Sequence, residues 1–304
     1  MDESKELIYL LEKMTDKVSL IFDIPKENAF SASTFILSQP QFPGFKNISE
    51  EDNESIKSYF DRYKRNNFNN RIIRRAFNEA YLFSLRDYSE VEINTTSELI
   101  ILYLRMITIT LRKLMDFEHV VVLNPYSNIG SLASSLAISN LNDEDLFVVE
   151  EREKYASLTM NLRDLLGYKY KVSNSLPSLS FRSDIIVSDP FLRNTEDILI
   201  FFEDYHDYLN EGGFFVVSLM SEFVRSRVFS DMVERYGLIL IGLIEYPKDL
   251  YDGIIENTIV ILEKKGEKNK EFFRAEMPSV KNIEANYKVL NDIETYLKNY
   301  LKGE

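Results

Sequence analysis

The sequence predicts an α/β protein, with a helical domain followed by a mixed, mostly parallel sheet that carries helices on both faces. Two observations support this. Before about residue 117, apolar residues recur at the three- and four-residue spacing of helices, as at Leu7, Leu10 and Leu11. After His119, short β-branched runs alternate with stretches long enough for helices, which is typical of βαβ units. We therefore expect a helical domain over 1–117 and an α/β domain over 118–304.

Seven apolar runs supply the predicted strands, and they lie at 120–123, 146–149, 170–172, 184–187, 214–219, 238–244 and 257–262. Runs of this kind are expected in a sheet that is covered on both faces. The loop between the last two runs contains Pro247 and Gly253 and is too short for a crossover helix, so these two strands should pair antiparallel. Further helical patterns lie at about 50–65, 70–87, 97–116 and 280–301.

Composition narrows the classes of function. The chain has no cysteine and only two histidines, His119 and His206, so no metal site is expected. No run approaches the ~18 apolar residues that cross a bilayer, and the acidic N-terminus lacks the basic start of a signal peptide. We expect a cytoplasmic protein that does not bind membranes. The net charge of −13 disfavours strong binding to nucleic acid, except through a local basic patch.

The loop after the first predicted strand is a candidate ligand site, because ligands of open α/β sheets bind beyond the carboxyl ends of the strands. It contains Asn124, Pro125, Tyr126, Asn128 and Gly130, and leads into a helix of small residues that permits close approach to a ligand. Asparagine is one of the few non-glycine residues that tolerate positive φ. An ordinary β–α turn is the alternative, since a single glycine does not make a nucleotide-binding fingerprint.

Two more features follow later strands. Glu150 comes directly after the second strand, where a carboxylate can accept hydrogen bonds from both hydroxyls of a ribose. Its alternative role is that of an acid favoured by a helix dipole. Asp189, Pro190 and Phe191 follow the fourth strand, and an aromatic ring beside polar groups suits a flipped base. A strand-ending turn is the alternative there, because Asp and Pro are common in turns.

With these features in order on successive strands, the sequence resembles the N6-adenine DNA methyltransferases. It resembles in particular the modification subunits of type I restriction systems, and among these it looks most like their small stand-alone YtxK-type relatives. The family's first motif, Asp-Pro-x-x-Gly-x-Gly, resembles residues 124–130, its ribose acid corresponds to Glu150, and its catalytic [Asn/Asp/Ser]-Pro-Pro-[Tyr/Phe] resembles 189–191. Further likeness extends over about 50–300 and is clearest at 72–85, 93–104, 209–223 and 258–267.

The resemblance implies a class I, Rossmann-like methyltransferase that transfers a methyl group from S-adenosylmethionine (SAM) to the exocyclic amine of adenine. It implies that Asp189 and the Pro190 carbonyl hold N6 while Phe191 stacks on the base, with the rate coming mainly from positioning. It also implies a cofactor site, whose members would be Thr95, Asn124, Pro125, Tyr126, Asn128, Gly130, Glu150 and Asn174. Thr95 and Thr96 stand near a Thr-Pro element that touches SAM in the family, and Asn174 stands near an aspartate that contacts the adenine ring of SAM.

Three departures from the family pattern bear on activity. Asn124 replaces an aspartate near the methionine end of SAM, Asn128 replaces a glycine in the cofactor loop, and the second proline of the catalytic motif is missing. We therefore expect weak SAM binding. Two alternatives stay open: a catalytically impaired protein that acts as a binding or regulatory module, and a methyltransferase for RNA or a small molecule. A partner subunit is expected to supply target recognition.

A basic stretch is the candidate contact with DNA. Between Lys57 and Arg75 the chain carries seven basic residues and one acid. Arg71, Arg74 and Arg75 are the residues expected to contact phosphates, since a helix places Arg71 and Arg75 on one face at i and i+4. The alternative is a helix face whose charges pair with acidic neighbours.

Overall fold

The computed structural model describes residues 3–85, 95–115, 119–139, 145–253, 256–264 and 272–302. Its first half is helical, as predicted, with elements α1 (Glu3–Phe22), α2 (Lys26–Ser38), α3 (Glu50–Asn66), α4 (Asn70–Ser84) and α5 (Glu98–Leu114). The starts of α3, α4 and α5 follow from their sequences, because Ser49, Asn69 and Ser97 each cap the first turn through a side-chain oxygen. The predicted domain boundary at 117 lies outside the described residues.

The second half contains a mixed sheet. Its strands are β1 (Val122–Pro125), β2 (Leu146–Val149), β3 (Lys171–Ser173), β4 (Ser183–Ser188), β5 (Leu209–Met220), β6 (Leu238–Glu245), β7 (Asn257–Lys264) and β8 (Phe273–Glu276). They lie in the order β3-β2-β1-β4-β5-β7-β6-β8. β7 runs antiparallel to both β5 and β6, so the predicted antiparallel pair is confirmed.

The sheet differs from prediction in its strand count. Among the described residues it has eight strands rather than the expected seven, because β8 adds parallel to β6 at one edge. Its residues Phe273, Arg274, Ala275 and Glu276 alternate between half-buried and exposed. An edge strand of this kind does not form a continuous apolar run, so the apolar pattern of the sequence does not predict it.

Helices cover both faces of the sheet, as expected. They are α6 (Ser131–Ile138), α7 (Glu153–Leu165), α8 (Thr195–Tyr205), α9 (Ser221–Val224), α10 (Arg227–Arg235) and α11 (Ile283–Lys302). Alternate strand residues divide between two cores. Val187 and Val216 pack in a core with α5, α6 and α11, whereas Ile186 and Phe215 pack in a core with α8 and α10.

The helical half packs directly against the sheet half. A third core joins α1, α2 and α4 to Leu158 and Leu162 of α7. The Ser131 hydroxyl donates to Asn78 of α4 at 2.5 Å, which fixes α4 to the start of α6. Since α5 also belongs to a core of the sheet, packing crosses the expected boundary, and the division into two domains remains a prediction.

Two findings limit the kinds of site that the described residues form. No helix among them is long and apolar enough to cross a membrane. Within the same residues, no group of three or more His, Asp or Glu side chains is arranged to hold a metal ion.

Candidate functional site

The carboxyl ends of β1, β2 and β4 meet at one edge of the sheet, because these strands are parallel neighbours. Non-glycine residues with positive φ are concentrated in the loops there: Tyr126 has a φ of 50°, Asn128 of 54° and Phe191 of 53°. Left-handed backbone is costly for such residues and is often found at ligand sites. The edge therefore combines the predicted loop residues with a strained backbone.

Glu150 is buried behind β2 and is held by a neighbouring arginine. Only 1% of its surface is exposed. Its Oε2 accepts from the Asn128 backbone N–H at 2.7 Å and from Arg152 Nη2 at 2.9 Å. Its Oε1 accepts from Arg152 Nε at 2.7 Å and from the Arg152 backbone N–H at 3.2 Å. The carboxylate predicted to bind a ribose is thus engaged in an internal ion pair.

The Asn128 side chain links the loops of three strands. Its Nδ2 donates to the carbonyl of Tyr126 at 3.1 Å and to the carbonyl of Asp189 at 3.2 Å. Its Oδ1 accepts from Arg152 Nη2 at 2.7 Å. Asn128 is itself buried. The amide therefore fills the space between the first loop and the Asp189 loop, where a glycine would leave an opening.

Gly130 begins α6 with a φ of 82°, a value that favours glycine. A Cβ at this position would lie 3.0 Å from Thr159 Cγ2 and 3.1 Å from Thr159 Cα. Thr159 also donates to the Asn128 carbonyl at 2.9 Å and lies 3.1 Å from the Ser127 hydroxyl. The loop is thereby packed closely on α7.

Asp189 lies in a buried polar network. Its Oδ1 accepts a hydrogen bond of 3.3 Å from the Tyr246 hydroxyl. The Tyr246 hydroxyl in turn lies 2.7 Å from the Ser218 hydroxyl. Asn257 donates to Ser218 at 3.2 Å. Burial raises the pKa of Asp189 to about 6, and the nearby hydroxyls of Ser218, Thr96 and Tyr246 partly offset that rise. The carboxyl group is held firmly and titrates near neutrality.

Two buried acceptors at this edge have no donor among the described residues: Asn124 Oδ1 and Asp189 Oδ2. Asn124 is oriented by its amide, which donates to the Val187 carbonyl at 2.8 Å. Buried polar atoms almost always have a partner, so unpartnered acceptors call for a ligand or water with hydrogen-bond donors. They lie on the adjacent strand ends of β1 and β4, where a ligand is expected.

The remaining predicted residues lie at varying distances from this network. Thr95 and Pro190 are buried, and the Phe191 ring lies 6.4 Å from the Tyr251 ring in an edge-to-face arrangement. Asn174 is exposed beyond β3, and within the described residues no hydrogen bond joins it to the site. Asn174 is therefore placed at the rim, whereas Pro190 and Phe191 directly follow β4 and Thr95 precedes Thr96, a neighbour of Asp189.

Sequence reasoning missed three members of the site: Arg152, Ser218 and Tyr246. A signal for two of them was present, because Ser218 lies near the end of β5 and Tyr246 directly follows β6. Both strands run parallel to β4, so their carboxyl ends reach the same edge. Arg152 gives no comparable signal, since an arginine three residues after a strand is ordinary.

The predicted basic contacts divide into paired and exposed side chains. Arg74 is buried and binds Glu98 through two hydrogen bonds of 2.8 and 2.6 Å. Arg75 donates to Glu79 at 2.8 Å. Arg71 is exposed. The carboxylate partners of Arg74 and Arg75 favour the structural alternative for those two, and contact of Arg71 with phosphate remains a prediction.

Comparison with solved structures identifies the fold. A candidate class I SAM-dependent methyltransferase of Listeria monocytogenes superposes with a TM-score of 0.81 and 18% identity, over 97% of this chain and 99% of that one. The type IIG restriction endonuclease BpuSI gives 0.60 and 12%, over 95% of this chain and 39% of its own. The methyltransferase subunit of a type I restriction-modification system from Streptococcus thermophilus gives 0.57 and 13%, over 81% and 63%.

These likenesses establish the fold as that of the class I SAM-dependent methyltransferases, so the predicted fold is confirmed. The chain spans nearly the whole length of the Listeria protein, but less than two thirds of the other two. No protein-family model matches the sequence, and no match was found among curated proteins.

Proposed function

We propose that this protein binds SAM at the edge formed by β1, β2 and β4, and transfers its methyl group to the N6 amine of adenine in DNA. The observation that supports this most is the pair of unpartnered buried acceptors, Asn124 Oδ1 and Asp189 Oδ2. The ammonium group of SAM supplies donors for the first, and an acceptor amine supplies donors for the second. Neither acceptor suits an anionic ligand.

The residues present fit the cofactor at two points. Asn124 Oδ1 would accept from the ammonium group, and Glu150 would accept from the ribose hydroxyls. A ribose can bind Glu150 only if Arg152 moves, because the Arg152 guanidinium now forms an ion pair with the Glu150 carboxylate. When bound, SAM supplies an electrophilic methyl group on its sulfonium.

The chain's own residues position the acceptor amine. Asp189 Oδ2 accepts a hydrogen bond from the amine, while Tyr246 and Ser218 hold the carboxyl group in place. The Pro190 carbonyl accepts the second amine hydrogen, and Phe191 stacks on the base. A carboxyl with a pKa of about 6 is ionised at pH 7.5 and can therefore accept that bond. Positioning of this kind supplies most of the rate.

DNA is the proposed source of the adenine. Two structural neighbours are named for restriction, one of them as a restriction-modification methyltransferase subunit, which favours DNA over a small molecule. A chain of net charge −13 attracts DNA poorly at long range. A basic partner subunit would therefore supply target recognition, with Arg71 as a local phosphate contact.

A second candidate function is a SAM-responsive binding module without methyl transfer. The observation that favours it is the closed state of the site, in which Arg152 occupies Glu150 and the Asn128 amide bridges to the Asp189 loop. In such a module, ligand binding would open these contacts. The two functions share one cofactor site and differ only in the use of Asp189.

Mass spectrometry of nucleosides separates the two. The protein is incubated with SAM carrying a trideuterated methyl group and unmethylated DNA, or RNA of the same sequence. We expect labelled N6-methyldeoxyadenosine with wild type and roughly 100-fold less with Asp189→Ala, because alanine removes the acceptor that holds the amine. Asp231→Asn, a change on the exposed face of α10, is the control. Label in RNA alone, or SAM binding with no transfer, would reject DNA methylation.

A further inference from the structure

We infer that Arg152 determines the affinity of this site for ribose-containing ligands, because its guanidinium occupies the hydrogen-bonding positions of Glu150 that the ribose hydroxyls need. This inference rests on the proposed cofactor site, but not on methyl transfer. It assigns to Arg152 a role in ligand affinity that the motif positions alone do not suggest.

The hydrogen bonds of Glu150 carry the first step. A carboxylate offers about four acceptor positions. All four are filled: Oε2 by the Asn128 backbone and Arg152 Nη2, and Oε1 by the Arg152 backbone and Arg152 Nε. A ribose diol needs two of them. It can therefore bind only where two of the present donors leave.

The donors differ in how readily they leave. The backbone N–H groups of Asn128 and Arg152 are fixed by the loop and by the start of α7. The Arg152 side chain is 40% exposed, and its guanidinium lies 4.4 Å from the centre of the Tyr155 ring. A rotation about the side-chain torsions moves the guanidinium to solvent and gives up its stacking on the Tyr155 ring, whereas the backbone donors cannot leave without moving the loop. The guanidinium is therefore the group that a ribose displaces.

The same movement opens the first loop. Arg152 Nη2 also donates to Asn128 Oδ1, so its departure removes a bond that holds the Asn128 amide between Tyr126 and Asp189. Displacement of the Arg152 guanidinium thus frees the Glu150 oxygens that would bind the ribose. It also frees the Asn128 side chain, which lies between the first loop and Asp189. Arg152 acts on ligand affinity through Glu150 and Asn128.

Truncation of Arg152 should therefore strengthen binding. In Arg152→Ala, Glu150 keeps its two backbone donors and presents two vacant acceptor positions in a buried setting, which ribose hydroxyls satisfy. We expect the dissociation constant of adenosine to fall on the order of tenfold, since a charge-assisted pair no longer competes. Because adenosine is neutral, removal of the positive charge of Arg152 does not by itself change the electrostatic attraction between the protein and this ligand.

Isothermal titration calorimetry tests this with adenosine, 2′,3′-dideoxyadenosine and SAM. We expect Arg152→Ala to tighten adenosine and SAM but not the dideoxy compound, which lacks both hydroxyls. Arg227→Ala is the matched control, because Arg227 also stands at the start of a helix and is 92% exposed. Arg152→Gln, which retains an amide donor, should give an intermediate affinity and serves if the alanine variant unfolds.

Three outcomes would overturn the inference: unchanged or weaker adenosine binding in both Arg152 variants, equal tightening of the dideoxy compound, or no binding to any folded variant. Tighter adenosine binding without methyl transfer by the wild type would support the role of Arg152 and reject the proposed enzyme activity. Methyl transfer with equal affinities in wild type and variants would reject the role of Arg152 alone.

Discussion

The carboxyl group of Asp189 lies where ionisation is unfavourable, since the residue is 2% exposed and one of its oxygens has no partner among the described residues. Tyr246 and Ser218 compensate only in part, and the pKa stays raised at about 6. A structural aspartate would be expected to have both oxygens hydrogen-bonded. The unpartnered oxygen of Asp189 is instead typical of a carboxyl group that accepts a hydrogen bond from a bound ligand.

The raised pKa of Asp189 predicts a pH-dependent loss of stability. A carboxyl whose folded pKa exceeds its unfolded value stabilises the fold below the unfolded value, and that contribution is lost as the pH rises through about 6. From pH 4.5 to 7.5, wild type should lose about 2 kcal/mol of unfolding free energy more than Asp189→Asn. Urea unfolding across this range measures the difference.

The control for this experiment is Asp231→Asn, which removes an exposed carboxyl on α10. Its stability profile should follow that of wild type. Parallel profiles for wild type and Asp189→Asn would contradict the account of the Asp189 environment, since they would mean that its ionisation does not oppose folding.

At the scale of elements, the turn between β1 and α6 depends on Gly130. Its φ of 82° disfavours a side chain, and a Cβ built on it would lie only 3.0–3.2 Å from atoms of Thr159. Gly167, at the end of α7, has a similar φ of 73° but no atom within 4 Å of a built Cβ. The two glycines therefore separate backbone strain from steric contact.

We predict that Gly130→Ala destabilises the protein more than Gly167→Ala does. The control should lose about 1 kcal/mol from the left-handed backbone alone. Gly130→Ala should lose about 2–3 kcal/mol, because the methyl group also meets the Thr159 backbone. Chemical denaturation measures both values. Equal losses would show that α7 moves aside at no cost and that the loop is not tightly packed.

The sequence predicted these elements well, and the reasons are local. Caps such as Ser49 and Ser97 mark helix starts, and continuous apolar runs mark strands with two covered faces. β8 escaped detection because its residues alternate in burial. The pairing of Arg74 with Glu98 also escaped, since the two residues are far apart in sequence and meet only when α4 packs beside α5.

At the scale of the whole molecule, topology brings the site together. Asn124, Glu150 and Asp189 were predictable because carboxyl ends of parallel strands share an edge. The state of the site was not predictable. That Arg152 turns back onto Glu150, and that the Asn128 amide reaches the Asp189 carbonyl, depends on side-chain geometry that sequence spacing does not encode.

The molecule also offers a competing cavity. A groove of about 770 Å³ lies between α2 and α7, with Phe35, Leu158 and Met160 among its lining residues. Its lining includes Glu153, which follows the β2 loop, but neither Asn124 nor Asp189, the residues with the unpartnered acceptors. Binding of a ligand there would leave the strand ends unchanged, so the two locations give different signatures.

Hydrogen–deuterium exchange with and without saturating SAM tests the central claim most directly, because it locates the ligand on the chain. We predict slower exchange at once in three segments, 124–131, 150–152 and 187–191, with no change in α10. Protection confined to α2 and α7, or no protection in any segment, would contradict a SAM site at the ends of β1, β2 and β4.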